Sequence, residues 1–332
     1  MGGGLMQLVA YGAQDAFLTG NAEITFFKVV YRRHTNFAME SIVQDFNGNG
    51  QRRTATISRN GDLITNCWLE DCHVPNTTEQ DGTMTFGKKG TACIDSIDLE
   101  IGGQRIDKHY GEWMDIWTEL SCPVGKRDGK DAMNDSGMVP LEFFFCRNPG
   151  LALPLIALQY HEVKLTFNLV AGVSDKLKLY VDYIYLDTDE RRRFAQVQHN
   201  MLIDQLQKQE SSGNGDTRLN FNHPCKELVW IGTAGGESTL KLNGHERFAP
   251  RGPKYFQMVQ PYQHHSNVPA AGKNINVYSF ALKPEEHQPS GTCNFSRIDN
   301  ASLRSANVSN IYAVNYNVLR IMSGMGGLAF SN

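Results

Sequence analysis

The 332-residue sequence has no long apolar run and no strong excess of charge of either sign. Its longest nearly apolar stretch, residues 151–158, is far shorter than the roughly 20 residues of a membrane-spanning helix, and it contains Pro154. The first ten residues have neither the basic flank nor the apolar core of a secretory signal. The formal net charge of −3 provides no basic excess for nucleic-acid phosphates. We therefore expect a soluble protein without direct, sequence-specific binding of nucleic acid.

Recognisable catalytic motifs are missing as well: there is no Gly-rich phosphate loop, dinucleotide fingerprint, His-Glu-x-x-His or Gly-x-Ser-x-Gly. Two pairs could supply metal ligands. His161–Glu162 lacks the closely spaced His-x-His of cupin metal sites, and His264–His265 has no third ligand nearby, so we expect the latter to be surface histidines. We therefore expect that the protein is not an enzyme and that it has no catalytic residue, no cofactor and no metal.

The seven cysteines form no Cys-x-x-Cys motif and no even framework, which indicates a reducing compartment and reduced thiols. Five Asn-x-Ser/Thr sequons are possible glycosylation sites, although without a secretory route most are expected to be ordinary loop asparagines. They are Asn76, Asn134, Asn294, Asn300 and Asn307.

One hairpin pattern is present twice. Residues 97–106 alternate apolar and polar side chains, break at a glycine pair and resume, which predicts a strand, a tight turn and a second strand. Residues 238–248 repeat the pattern around Asn243-Gly244, the dipeptide that a type I′ turn prefers. Gly244 follows Gly103 by 141 residues, which indicates that one domain has been duplicated.

Four further pairs of predicted strands occur in the same order in the two parts of the chain. They are 56–64 with 218–224, 141–145 with 277–282, 165–167 with 295–298, and 179–186 with 316–322. The chain length suits two antiparallel sandwiches. We divide it into an amino-terminal arm (1–21), a first sandwich (22–188), a linker (189–212) with a short helix at 199–209, and a second sandwich (213–332).

The arm has no counterpart in the second part of the chain. It nevertheless carries many apolar side chains, each of which would contribute on the order of 1.5–3 kcal/mol if buried. We expect these residues to bind another surface as an assembly arm: Leu5, Leu8, Val9, Tyr11, Phe17 and Leu18.

Long blocks of the sequence resemble the major capsid proteins of nucleocytoplasmic large DNA viruses, and the phycodnavirus (chlorovirus-like) branch most. The blocks are residues 3–15, 18–21, 24–28, 31–38, 58–65, 101–110, 149–163, 289–300 and 315–329. The resemblance covers both ends and both parts of the chain.

The resemblance implies an all-β fold of two consecutive eight-stranded antiparallel jelly rolls, a double jelly roll, with short helices in the connections. It also implies a homotrimer that forms a pseudo-hexagonal capsomer. Such capsomers would tile an icosahedral shell around an internal membrane and DNA genome, in a virion assembled in the host cytoplasm. Implied partners are neighbouring capsomers, minor capsid proteins and the internal membrane face, which the arm could reach.

A carbohydrate-binding or carbohydrate-active jelly-roll protein is the alternative. Its candidate residues lie within 110–117, where aromatic and acidic side chains are close in sequence. Trp113 and Trp117 are four apart, however, and packing of an amphipathic helix explains this spacing equally simply.

Overall fold

The computed structural model describes residues 36–75, 86–232, 236–270 and 272–330. All six predicted arm residues and Asn76 lie outside these ranges. Within them, no helix is both long and apolar enough to span a bilayer.

Most regular structure in the described ranges is strand. The strands are β1 (Phe37–Gln44), β2 (Phe46–Asn47), β3 (Arg52–Thr56), β4 (Leu63–Glu70), β5 (His73–Pro75), β6 (Phe86–Lys89), β7 (Ile94–Ile101), β8 (Gln104–His109), β9 (Val139–Pro140), β10 (Leu153–Pro154), β11 (Val163–Leu169), β12 (Lys178–Leu186), β13 (His199–Arg218), β14 (Pro224–Gly232), β15 (Thr239–Leu242), β16 (His245–Glu246), β17 (Ile275–Ser279), β18 (Cys293–Asn294), β19 (Ala301–Met322) and β20 (Met325–Leu328).

The helices lie in the connections between strands. They are α1 (Gly111–Ser121), α2 (Val124–Asp135), α3 (Phe144–Arg147), α4 (Thr188–Gln196) and α5 (Gln260–His264), the last preceded by a π-helical turn (Tyr255–Val259). Short 3-10 turns occur at Gly90–Cys93, Pro149–Leu151, Leu155–Ala157 and Phe295–Arg297.

The first half, from Phe37 to Leu186, contains two five-stranded sheets. One has the order β1-β12-β4-β10 with β9 also on β4, and the other has the order β2-β3-β11-β7-β8. Strands β5 and β6 form a separate hairpin. Side chains that alternate along the strands, such as Leu99, Leu165 and Val181, bury one face of each strand in a shared core.

The second half, from His199 to Leu328, forms one eight-stranded sheet. Its order is β16-β15-β19-β14-β17, with β13 and β20 also paired to β19 and β18 paired to β14. Strand β13 runs antiparallel to β19 over nearly its whole length, with register shifts near Gly213 and Gly215. A separate apolar core includes Leu228, Trp230 and Phe256.

The duplicated hairpin is confirmed in both halves. Strands β7 and β8 pair at Ile101 and Gln104, and strands β15 and β16 pair at Leu242 and His245. The two turn residues have positive φ in each copy, +58° and +81° in the first and +51° and +80° in the second. A type I′ turn requires this backbone geometry, which explains the Gly-Gly and Asn-Gly pairs.

Four predicted strands are wrong, and two of them, 56–64 and 218–224, are mostly loops between strands, with residues 57–62 and 219–223 outside any strand. Residues 141–145 lead into helix α3, because Phe143, Phe144 and Phe145 are all buried and an uninterrupted apolar run does not favour strand over helix. Residues 295–298 form a 3-10 turn after Asn294, whose side chain accepts a hydrogen bond from the Ser296 N–H at 3.0 Å. Such capping by Asn competes with extended pairing.

The secondary structure predicted for the linker is also wrong. The helix is α4, which begins where the Asp187 side chain accepts a hydrogen bond from the Thr188 N–H at 2.7 Å. Residues 199–209, predicted as helix, belong to β13 and pair with β19. Residues 210–216, whose Ser/Gly-rich composition predicts a flexible joint, also lie in β13. The domain boundaries themselves stay a prediction.

Candidate assembly surfaces and the joint between the halves

Helix α1 belongs to the first half but packs on the sheet of the second half. Its apolar residues Trp113, Ile116, Trp117 and Leu120 recur every three or four positions and form one stripe along the helix. The stripe is buried against side chains of β13, β14, β17 and β19. These are Leu206, Val229, Ile275, Val277, Tyr312 and Val314.

We call this contact between α1 and the second-half sheet the joint. Both tryptophans of α1 lie inside it. Trp113 is 0% and Trp117 4% exposed, and the Trp113 ring lies 5.2 Å from the ring of Tyr312. Helix packing, the simpler interpretation of residues 110–117, is therefore confirmed. A side chain that stacks on a sugar must be accessible, so these tryptophans offer no platform for a carbohydrate.

The polar edge of α1 is tied to the second half as well. Glu112 accepts hydrogen bonds from the Tyr312 hydroxyl and, at 2.7 Å, from Asn310 Nδ2. Burial and this bond to a carboxylate raise the pKa of Tyr312 far above its usual value, so the phenol remains a donor. Near the other end of the helix, Glu119 pairs with Lys273 at 3.3 Å.

Strand β8 of the duplicated hairpin adds directional bonds to the joint. Asp107 accepts a hydrogen bond from the Leu206 N–H at 3.0 Å, and its second oxygen lies 2.9 Å from His109 Nε2. Gln205 donates a hydrogen bond from Nε2 to the Ile106 carbonyl oxygen. These bonds fix the position of β13 on the first half.

Buried charges continue across the same boundary. Arg147, at the end of α3, lies 3.9 Å from Glu142 and 3.8 Å from Asp204 of β13. Asp204 in turn pairs with Lys226 at 3.0 Å, and the Lys226 ammonium group lies 4.6 Å from the Tyr316 ring centre. Because Lys226 is 1% exposed, removal of its partner would leave an uncompensated buried charge.

His265 lies between two carboxylates and is not a surface histidine, so that expectation is wrong. Its Nε2 is 2.9 Å from Glu227 and its Nδ1 is 2.9 Å from Glu285, and its side chain is fully buried. Burial lowers the pKa of His265, but the two carboxylates outweigh this effect and raise it to about 9. The neighbouring His264 instead contacts the Leu282 carbonyl oxygen at 3.0 Å.

A surface groove of about 740 Å³ runs beside the joint. Its lining includes the cations Arg105, Lys108 and Lys208 and the anions Asp98 and Glu100. Asp98 already pairs with Lys108 at 3.5 Å and with Arg105 at 4.0 Å. Since these charges largely compensate one another, the groove has no strong preference for an anion or a cation.

Apolar side chains remain exposed in several other places of the described ranges, and three groups of them are candidate contact surfaces. The β1 surface consists of Phe37, Met39 and Val43, which share one face of an edge strand. The α5 surface consists of Met258, Val259, Tyr262 and Leu282. The β20 surface consists of Tyr160, Met322 and Met325. Separate apolar surfaces on one chain are typical of a protein with several neighbours.

The predicted asparagines have different surroundings. Asn134 is half-buried and its Nδ2 donates a hydrogen bond to Thr91 Oγ1 at 3.2 Å, so an attached glycan would break this contact. Asn294 caps the following turn, whereas Asn300 and Asn307 are exposed. The described ranges bring no three His, Cys, Asp or Glu side chains together as a metal site. His161 contacts the Gly326 backbone.

Sequence reasoning missed the ion pairs. Arg147 with Asp204, between the halves, and His265 with Glu227, within the second half, are far apart in sequence and share no motif. The available signal was charged residues inside strand-like apolar runs, for example Lys226-Glu227 before residues 228–231.

Comparison with known proteins accounts for both halves. The family model for the major capsid protein N-terminus matches residues 25–187, and the model for the large eukaryotic DNA virus major capsid protein matches residues 233–327. The chain is 52% identical to the major capsid protein of Pyramimonas orientalis virus and 42% identical to that of Paramecium bursaria Chlorella virus 1, with all of each chain covered.

A structural match agrees with these sequence matches. A chain of the PBCV-1 virus capsid quasi-atomic model superposes with a TM-score of 0.80 and 39% identity, covering 93% of this chain and 100% of that one. The predicted all-β double jelly roll is thereby confirmed. The chain belongs to the family of major capsid proteins of large eukaryotic DNA viruses.

Proposed function

We propose that three copies of this chain form a capsomer and that capsomers tile an icosahedral shell around an internal membrane and DNA genome. The observation that carries the proposal is the presence of three separate exposed apolar surfaces outside a tightly packed joint. Such surfaces suit a subunit with neighbours on several sides. The similar PBCV-1 chain comes from a capsid model, which supports this role.

The two halves explain why a trimer would be pseudo-hexagonal. Each chain supplies two similar jelly rolls, so three chains place six of them around one axis. The bonds across the joint fix the two jelly rolls of a chain relative to each other, as a regular lattice requires. The proposed role needs no catalytic residue and no cofactor.

The β1 surface and the arm are proposed contacts with further partners. Strand β1 lies at the edge of its sheet and exposes Phe37, Met39 and Val43 directly after the amino-terminal segment. The arm residues Leu5 to Leu18 would reach a neighbouring capsomer, a minor capsid protein or the membrane face. Assembly in the host cytoplasm would agree with seven free cysteines.

Oligomeric mass is the first test. Size-exclusion chromatography with light scattering should give three times the 37.2 kDa chain mass, and negative-stain images should show polygonal arrays at high concentration. We expect Met39→Asp and Tyr262→Asp to reduce the trimer or array fraction, because each buries a charge at a proposed contact. The control Val124→Asp changes an exposed apolar residue on α2 and should leave assembly intact.

Two results would contradict the proposal. If both surface variants assemble as the control does, these surfaces are not contacts. A monomer at all concentrations that binds a glycan array would support the carbohydrate-binding alternative.

Deletion of residues 2–18 should leave the trimer intact and weaken shell formation, and unimpaired shells would show that the arm is not needed for assembly.

A further inference from the structure

Six of the seven cysteines lie near another cysteine, and one pair combines full burial with close contact. Cys72 and Cys93 are both 0% exposed, they belong to the same apolar core, and each thiol shifts the pKa of the other. We propose that Cys72 and Cys93 form an intramolecular disulfide when the protein meets an oxidising environment. The thiols would be reduced where the chain is made and cross-linked afterwards.

Backbone contacts place these two residues side by side. Cys72 ends the turn after β4, and Cys93 ends the 3-10 turn that begins at Gly90. The Gly90 N–H donates a hydrogen bond to the Cys72 carbonyl oxygen at 2.8 Å, and Cys72 Sγ lies 3.4 Å from the Gly90 carbonyl oxygen. Cys72 therefore lies directly beside the turn that carries Cys93.

The pair stands at the base of the β5–β6 hairpin. Strands β5 and β6 lie between Cys72 and Cys93 and belong to no larger sheet in the described ranges, although the Ser174 N–H donates a hydrogen bond to the His73 carbonyl oxygen at 2.9 Å. A two-stranded hairpin is marginally stable by itself, so local opening admits a small oxidant to the buried thiols. The cross-link would then hold the base of the hairpin closed.

The chemistry is thiol–disulfide exchange with a low-molecular-weight disulfide such as oxidised glutathione. The hydrogen bond from Cys72 lowers the pKa of Cys93, which favours Cys93 as the attacking thiolate. Cys93 attacks one oxidant sulfur and expels a thiolate; Cys72 then attacks Cys93 and expels the second thiolate. Two protein thiols are oxidised, one disulfide is reduced to two thiols, and those thiols receive the two protons.

The neighbouring pair, Cys67 with Cys146, is less able to close. Both sulfurs lie near the Thr65 carbonyl oxygen, at 3.9 and 3.5 Å. Cys67 is inside β4 and is paired with Val181 of β12, while its carbonyl oxygen accepts a hydrogen bond from the Leu141 N–H. Cys67 therefore lies inside a sheet, whereas Cys72, whose backbone also bonds to Gly137 and Gly90, lies outside the strands, between β4 and β5.

The test uses the purified full chain in oxidised glutathione, followed by alkylation and digestion with trypsin and Glu-C. Cleavage after Glu70 separates Cys67 from Cys72, so a linked product of peptides 71–79 and 90–100 identifies the bond. We expect this product in folded protein, together with a melting temperature about 5 °C higher that reductant reverses.

Matched variants complete the experiment. Cys72→Ser should abolish the linked product and the melting shift, whereas Cys122→Ser should keep both, because the groups that influence Cys122 include no other thiol. The proposal is overturned if Cys72 and Cys93 remain alkylatable, if only a Cys67–Cys146 product forms, or if the bond appears only in urea. None of these outcomes depends on trimer or shell formation, so they test the thiol pair independently of the proposed function.

Discussion

The two halves build the same long pair of strands in different ways. In the first half, the pairing is divided between two sheets: β1 pairs with β12 in one sheet, and β3 pairs with β11 in the other. In the second half, β13 stays paired with β19 from His199 to Arg218. One continuous strand in the second half thus corresponds to two strands in the first.

Residues with positive φ show what the halves share. The breaks in the first half contain Gly48 at +87° and Gly172 at +83°. The continuous strands of the second half contain Gly215 at +113° and Asn307 at +51°, close to the register shifts. Each half therefore bends at corresponding places, with a loop in the first and a bulge in the second. The two halves share the position of the bend and differ in whether the strands are interrupted there.

The largest predicted effect tests whether the halves depend on each other. Trp113→Ala would leave a cavity between α1 and the second-half sheet, and should lower the free energy of unfolding by about 3–5 kcal/mol. Calorimetry should then resolve two transitions, one for each half.

Trp68→Ala is the matched control. Trp68 is half-buried and stacks on Tyr180 within the first half, 5.5 Å between ring centres. The Trp68→Ala variant should lose less stability than Trp113→Ala and should keep the calorimetric transitions of the unmodified chain. Equal losses in the two variants would show that the joint has no special role.

The second-largest predicted effect is a pH dependence of stability caused by His265 in the second half. The pKa of His265 is raised from 6.5 to about 9, so its contribution to stability is fully present below pH 6.5 and is lost as pH rises through 9. The loss should be on the order of 3 kcal/mol. Urea unfolding between pH 6 and 10 should show this loss of stability in the unmodified chain and not in the His265→Gln variant.

His264→Gln provides the control for this titration. Its ring contacts only a backbone carbonyl oxygen in the described contacts, so the pH profile should resemble that of the unmodified chain. Because His265→Gln leaves Glu227 buried, His265→Gln/Glu227→Gln should restore part of the stability. A profile unchanged by His265→Gln would refute the assignment.

The smallest effect compares the duplicated turns. Gly103→Ala and Gly244→Ala each place a side chain at positive φ with nothing within 4 Å, so each should cost about 1–2 kcal/mol. Gly102→Ala should cost more, because its Cβ would lie 2.2 Å from His161 Nδ1, which contacts Gly326. Equal melting temperatures for all three variants would contradict this difference.

Local patterns were sufficient to predict much of the fold. Alternation and turn residues identified both hairpins, and the spacing of Trp113 and Trp117 identified a packed helix. These features depend on residues close in sequence. The resemblance to capsid proteins then supplied the double jelly roll, which periodicity alone could not give.

Features that depend on distant partners could not be predicted. Residues 211–216 have the Ser/Gly composition of a linker, but they lie in β13 because residues 304–308 of β19 are opposite. His265 has no unusual neighbours in sequence, and its burial depends on Glu227 and Glu285. Composition indicates the conformations that a segment can adopt by itself, whereas pairing with a strand distant in sequence determines which conformation it has in the fold.

The pairing of β13 with β19 has a mechanical consequence. Since the strands are antiparallel, His199 at the start of the second half lies beside Ile321 near its end. A force that separates these ends would break the ladder one pair at a time, which needs less force than shearing all pairs together. The Tyr160 N–H donates a hydrogen bond to the Gly324 carbonyl oxygen at 2.9 Å at this end. The first half therefore reinforces the point at which the second half would begin to unzip under tension.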